Sequence, residues 1–187
     1  TDAGLGELVD AEHPAVAANG HTLYAVWADY RDWWDEAEIY LSKSSDGGAT
    51  WGTNVSVSDG LDNEIGLDDP AVAVYPDGWV YVVWFNPSPS YGGHCSYEAC
   101  VYMACSEDGS TFEAFDLWGS NDDFYDIAPQ ITIDPDSGDI VVAVSDYVGS
   151  GPGKENIYGL VRDYQAGTWR AEVINDQAGS ADSSVGS

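Results

Sequence analysis

His13-Pro14-Ala15-Val16-Ala17 returns as Asp69-Pro70-Ala71-Val72-Ala73, and again as Ala128-Pro129-Gln130-Ile131-Thr132. Self-similarity at a fixed interval governs every other reading, because it specifies one structural unit used several times. A polar turn follows each copy: Asn19-Gly20, Pro76-Asp77-Gly78 and Asp136-Ser137-Gly138. Such turns suit β-hairpins, since Gly takes the positive φ that a tight connection needs. A second apolar run comes next, Leu23 to Trp27, Val80 to Trp84 and Ile140 to Val144. These runs are β-branched and aromatic without polar alternation, as in strands covered on both faces. Third strands are expected at Ile39-Tyr40-Leu41, Val101-Tyr102-Met103 and Ile157-Tyr158-Gly159-Leu160. Fourth strands are expected near Val55 to Val57, Phe115 to Trp118 and Ala171 to Ile174, and no stretch has a convincing helical period. Four strands per copy predict an all-β fold of β-propeller blades. An all-β sandwich also has many short strands, but it gives no reason for landmarks at a regular interval.

The turn between the third and fourth strands of the first copy reads Ser44-Ser45-Asp46-Gly47-Gly48-Ala49-Thr50-Trp51. It resembles the Asp-box, or bacterial neuraminidase repeat, Ser-x-Asp-x-Gly-x-Thr-Trp, at Ser44, Asp46, Gly48, Thr50 and Trp51. The second copy, Ser106-Glu107-Asp108-Gly109-Ser110-Thr111-Phe112, is one residue shorter and ends in Phe. There Ser106, Asp108, Thr111 and Phe112 are the matching positions. The third copy keeps Gly167-Thr168-Trp169, with Asp163 loosely placed. A short Asp side chain accepts hydrogen bonds from the N–H groups of its own turn, and Gly takes a backbone shape closed to other residues. Asp46 and Asp108 are therefore expected to be structural. The resemblance implies a sialidase-like or related Asp-box propeller fold. It does not by itself imply sialidase activity.

Residues 1–187 read as a single propeller segment, with blades at 13–58, 69–118 and 128–175 and connectors at 1–12 and 176–187. Known propellers close with about four to eight blades. Three blades leave open edges, and open edges invite pairing. The expected partner is thus the remainder of a longer propeller chain or a second copy. A two-fold pair would give the six blades that the sialidase-like family uses.

Charge is the unusual bulk property: 33 acidic residues against 5 basic ones give a net charge of -28. A small domain ordinarily carries a net charge of about 2 to 8 in magnitude. Salt near 1 M shortens the screening length to about 3 Å and removes most of the self-repulsion. The composition reads as that of a salt-adapted organism, with an acidic extracellular protein at ordinary salt as the other reading. Nucleic acid is excluded as a partner because no basic patch meets phosphates. No apolar stretch is long enough to cross a membrane as a helix. Cys95 and Cys100 flank a short loop and fit a disulfide, which points to an extracellular or cell-surface protein, and Cys105 is left over.

The resemblance implies that a sialidase would need an arginine triad, a Tyr/Glu nucleophile pair and an acidic acid/base. The arginines here are Arg31, Arg162 and Arg170, and the last two flank the third turn. General glycoside hydrolysis needs two carboxylates at a suitable separation, and no pair stands out. His13, His21 and His94 show no metal-ligand spacing. The long loops after each second strand hold the binding candidates: Tyr30, Arg31, Asp32, Trp33, Trp34 and Asp35, then Tyr91, His94 and Tyr97, then Tyr147. Aromatics beside carboxylates can stack on sugar rings and bond their hydroxyls, or they can fold back and plug the gap over the blade. Asp134, Asp136 and Asp139 resemble part of a calcium loop and equally fit an ordinary hairpin. No cofactor is required. The reading is a binding or structural module, with glycan as the candidate ligand. The alternatives are a portion of a sialidase-like hydrolase and a self-assembling surface or filament component.

Overall fold

The structure is a computed structural model that describes residues 10–33, 36–59, 64–65, 67–86, 88–89, 99–120, 128–147, 155–163 and 165–175. Among these residues every regular element is a strand. The first sheet runs β1 (Ala11–Asn19), β2 (Thr22–Trp33), β3 (Glu36–Ser44), β4 (Val55–Ser56) in spatial order. A short strand β5 (Glu64–Ile65) precedes the second sheet, which consists of β6 (Asp68–Val74), β7 (Val80–Asn86), β9 (Ala99–Ser106) and β10 (Glu113–Ser120). Between them β8 (Ser88–Pro89) pairs back with β5. The third sheet is β11 (Gln130–Ile133), β12 (Ile140–Tyr147), β13 (Glu155–Arg162) and β14 (Trp169–Val173). All pairings are antiparallel. β1 lies against β6 and β6 against β11, so the first strand of each sheet lines a common inner side. This is the arrangement of propeller blades.

Two cores join the three sheets. Tyr24, Val26, Ala28, Ile39 and Leu41 of the first sheet meet Val80, Val82, Trp84, Tyr102 and Ala104 of the second. Val83, Phe85, Val101 and Met103, on the other side of that second sheet, meet Ile140, Val142, Val144 and Leu160 of the third. Successive residues of a strand point to opposite faces, so β7 supplies both cores and reads as apolar from Val80 to Phe85. Each fully buried Val, Leu, Ile, Phe or Met among them is worth about 1.5–3 kcal/mol relative to exposure.

The first turn is held by its own side chains. Asp46 accepts from the Thr50 hydroxyl at 2.6 Å, the Thr50 N–H at 2.9 Å and the Ser44 hydroxyl at 2.8 Å. Ser44 Oγ in turn accepts the Gly48 N–H at 2.9 Å. The Thr50 hydroxyl and N–H bonds, with that from Ser44, pull the Asp46 carboxyl down to about 2. In the second turn the partner of Asp108 is Ser110, whose N–H donates at 2.9 Å and whose hydroxyl donates at 2.5 Å. The expected Thr111 does not take that place, because the missing residue brings Ser110 into reach first. Trp51 remains 46% exposed, since β4 is only two residues long and offers the ring little to pack on. Asp163 does belong to the third turn: its carboxylate accepts the Ala166 N–H at 2.7 Å.

One correction concerns the long loops. β2 continues to Trp33 and β12 to Tyr147. Tyr30, Arg31, Asp32, Trp33 and Tyr147 therefore stand in strands. In β2 the extension crosses a register shift between Asp29 and Trp33, which local apolar patterning does not reveal.

Gly109 has φ +79, and a Cβ there would lie 2.9 Å from the Tyr24 ring. Gly20 has φ +62 with nothing within 4 Å. Gly20→Ala should cost about 1–2 kcal/mol from backbone strain alone. Gly109→Ala should add an overpacking cost of about 1–3 kcal/mol. Denaturant unfolding in molar salt measures both, and equal losses would contradict this packing of Tyr24 under the turn.

Candidate functional site at the mouth of the inner strands

Ala11 pairs with Asp29, and the Tyr30 N–H donates to the Asp10 carbonyl at 3.0 Å. The start of β1 and the end of β2 thus share one end of the blade. The turn holding Asp46 lies at the other end, where the Gly47 N–H donates to the His21 carbonyl at 2.9 Å.

The mouth is built on strained backbone. His13 has φ 50 and Asp69 has φ 49, both positive for non-glycine residues. Such positions cost about 1–3 kcal/mol each and persist only where surrounding structure enforces them. Each immediately precedes a proline, which disfavours the right-handed helical region. Each also sits in a register shift, between Glu12 and Ala15 in β1 and between Asp68 and Ala71 in β6. These two bulges bring neighbouring blades together chemically. His13 Nδ1 pairs with Asp68 Oδ1 and lies 3.2 Å from Asp69 Oδ1. The Asp69 N–H donates to Asp68 Oδ1 at 2.8 Å. The hydrogen bond to Asp68, aided by the charges of Asp68, Asp69 and Glu12, raises the His13 pKa above its usual 6.5 against the opposing effect of burial.

Tyr30 borders this cluster. Burial, with the charges of Asp68, Glu12 and Asp10, raises its phenol pKa, so the hydroxyl stays protonated. The residue before it, Asp29, is buried and pinned. Arg31 grips its carboxylate with Nε at 3.0 Å and Nη2 at 2.5 Å, and Trp27 Nε1 donates at 2.7 Å. Burial pushes the Asp29 carboxyl up, but the bonds from Arg31 and Trp27 outweigh it and hold the carboxyl low. The guanidinium also lies 3.9 Å over the Tyr40 ring, which stacks with Trp27. Arg31 therefore braces the blade end by contacts within its own sheet.

One His nitrogen and two carboxylate oxygens within 4.8 Å of one another can hold a single cation or bind the hydroxyls of a polyol. Asp68 and Asp69 act here as one unit around His13. The expected Asp134 group is arranged differently. Asp134 Oδ1 accepts the Asp136 N–H at 2.9 Å, and the Asp134 N–H donates to the Asp139 carbonyl at 2.9 Å, as in a closed hairpin turn. Cys100 is disulfide-bonded and Cys105 is free. Trp34, Asp35, Tyr91, His94, Cys95 and Tyr97 lie outside the described residues.

Sequence reading missed His13, Asp68 and Asp69 as a group. The available signal was a titratable residue directly before the matched proline in two successive repeats.

No family model matches the chain, and no curated protein does. Solved structures do resemble it. An α-L-arabinofuranosidase from Fusarium graminearum in complex with arabinobiose superposes with a TM-score of 0.59 at 16% identity, over 89% of this chain and 46% of its own. A protein of unknown function from Dyadobacter fermentans gives 0.61 at 15% identity, over 87% and 54%. A Trypanosoma rangeli sialidase mutant displaying trans-sialidase activity gives 0.54 at 15% identity, over 87% and 30%. At these identities the likeness shows the β-propeller fold alone, and this chain spans between 30% and 54% of those three proteins.

The raised pKa of His13 makes stability depend on pH with a definite sign. The imidazolium contact with Asp68 and Asp69 contributes fully below the unfolded value of about 6.5 and is lost as pH rises through the higher folded value. Melting temperature should therefore fall between about pH 6 and pH 8 in wild type, and less so in His13→Ala. The effect should be small, because the imidazole is 46% exposed and screened by solvent and salt. A larger fall in the variant would contradict the assignment.

Proposed function

We propose that this chain is part of an extracellular, salt-adapted β-propeller of the Asp-box type that binds glycans at the mouth of its inner strands. The observation that carries the glycan reading is the His13, Asp68, Asp69 and Tyr30 cluster, built on two strained bulges from adjacent blades. It offers acceptors and one protonated phenol at the end where the inner strands begin. Two of the similar solved structures are of an arabinofuranosidase and a sialidase, and their saccharide substrates support this ligand class. The disulfide at Cys100 supports an oxidising compartment. A portion of a glycoside hydrolase is the second reading, favoured by the same two neighbours.

Further blades complete the ring in this proposal. Val16 of β1 and Val72 of β6 hold the same repeat position, yet Val16 is 74% exposed and Val72 8%. Val72 is covered by the first sheet, whereas Val16, with Leu23, Ala25 and Trp27 on the same face, has no sheet over it among the described residues. The occupant is another blade, from a second copy or from a longer chain.

Isothermal titration in molar salt with arabino-oligosaccharides and sialyl-oligosaccharides tests the glycan reading. Binding of either should weaken at least about tenfold in Asp69→Asn and in His13→Ala, equal to about 1.4 kcal/mol each. Unchanged binding in both variants would remove the mouth as the site. Release of free sugar by wild type would favour the hydrolase reading. For ring completion by a second copy, light scattering over a concentration series should show mass above the monomer, reversed by Val16→Glu. A monomer at every concentration would leave the longer chain as the source of the missing blades.

A further inference from the structure

The seams between consecutive blades are closed differently at the turn end. Between the first and second sheets Tyr24 is 3% exposed, packed under Gly109. Lys43 Nζ, 5.5 Å from the Tyr24 ring centre, donates to the Asp108 carbonyl at 2.9 Å across the seam. The cross-strand pairs Tyr24–Lys43 and Tyr81–Cys105 occupy the same repeat position. In the next seam, then, Cys105 replaces Lys43, and the third turn has lost its Ser-x-Asp segment. The result is a cavity of about 540 Å³ between the second and third sheets. Trp79, Tyr81, Phe115 and Trp169 line it, together with Asp77 and Arg162.

Arg162 makes this more than a packing gap. The chain has 33 acidic residues and 5 basic ones, yet among the described residues no carboxylate pairs with Arg162. A guanidinium in an aromatic-lined cavity, in so acidic a protein, is complementary to a planar anion. The Trp79 and Tyr81 rings, stacked at 6.2 Å, offer flat apolar surface of the kind that covers the C–H face of a pyranose. Asp77 adds an acceptor for a hydroxyl. The volume lies within the range of about 300–1,000 Å³ typical of small-ligand sites.

We propose that this cavity binds a saccharide residue bearing a carboxylate, a uronate, with Arg162 taking the carboxylate and the aromatic walls the ring. The site lies at the turn end, away from the mouth, and shares no residue with it. It stands or falls independently of the glycan reading given above.

The test uses galacturonate trimers, with the uncharged galactose trimer as the comparison, titrated into the whole chain in about 1 M KCl so that net repulsion is screened. Trimeric galacturonate should bind at least about tenfold more tightly than the neutral trimer, and Arg162→Gln should remove that preference. Bound ligand should also slow alkylation of Cys105, which lines the same cavity and is the free cysteine. That readout needs no variant and locates the ligand even if substitution disturbs folding. Absence of binding, equal binding of both trimers, or binding that leaves Cys105 alkylation and Arg162→Gln unaffected would each overturn the proposal.

Discussion

Burial of the second strand on both of its faces is the constraint on which the rest of this structure depends. Val80, Val82 and Trp84 point to one neighbour, and Val83 and Phe85 to the other. A strand of this kind has no polar side to turn to water. Its sheet cannot be an outer layer, so a blade must stack on each of its faces, as the first and third sheets do. The same alternation runs through β2 and β12. Tyr24, Val26 and Ala28 are covered by the second sheet, while Leu23, Ala25 and Trp27 alternate with them. Stacking also fixes which ends lie together, and that alone places His13 beside Asp68, far away in sequence.

The two ends of the stack use carboxylates in opposite ways. At the turn end Asp46 has a full set of donors from its own turn, so its low pKa reports local closure. That geometry needs no neighbour, which is why the motif was recognisable from eight consecutive residues. At the mouth, Asp68 and Asp69 meet a histidine from the preceding blade across two backbone bulges held at positive φ. Strain of this kind is maintained by the packing of β1 on β6, so the mouth is a tertiary feature.

This difference explains what was legible. The turns, the apolar runs and the blade repeat are local, and the structure has strands at each expected place. The bulges at His13 and Asp69 depend on two strands at once, and neither propensity nor periodicity encodes a register shift. Arg31 was read as a ligand candidate because it stands among aromatics. In the structure its guanidinium instead grips Asp29 and lies over Tyr40, an aromatic of the neighbouring strand, as a brace. Likewise, the third turn read as a partial copy of the first, keeping Gly167-Thr168-Trp169. Its consequence, an open seam beneath it, appears only when the second sheet is laid alongside.

The few cations of this acidic chain make specific contacts. Arg31 holds Asp29, Lys43 spans a blade seam to the Asp108 carbonyl, and Arg170 lies 3.4 Å from Glu172. In strong salt, interactions beyond about 3 Å of solvent are screened, so long-range repulsion among the acids disappears while direct contacts survive. At that ionic strength cations act by contact and have little effect through the general field. Where one is placed therefore says more than how many there are. Arg31 and Lys43 each close a specific gap within or between sheets, whereas Arg162 faces an open cavity and makes no ion pair among the described residues. By the same contact rule, a guanidinium so placed acts on whatever anion enters that cavity, and the ring-stacking walls around it decide which anion fits.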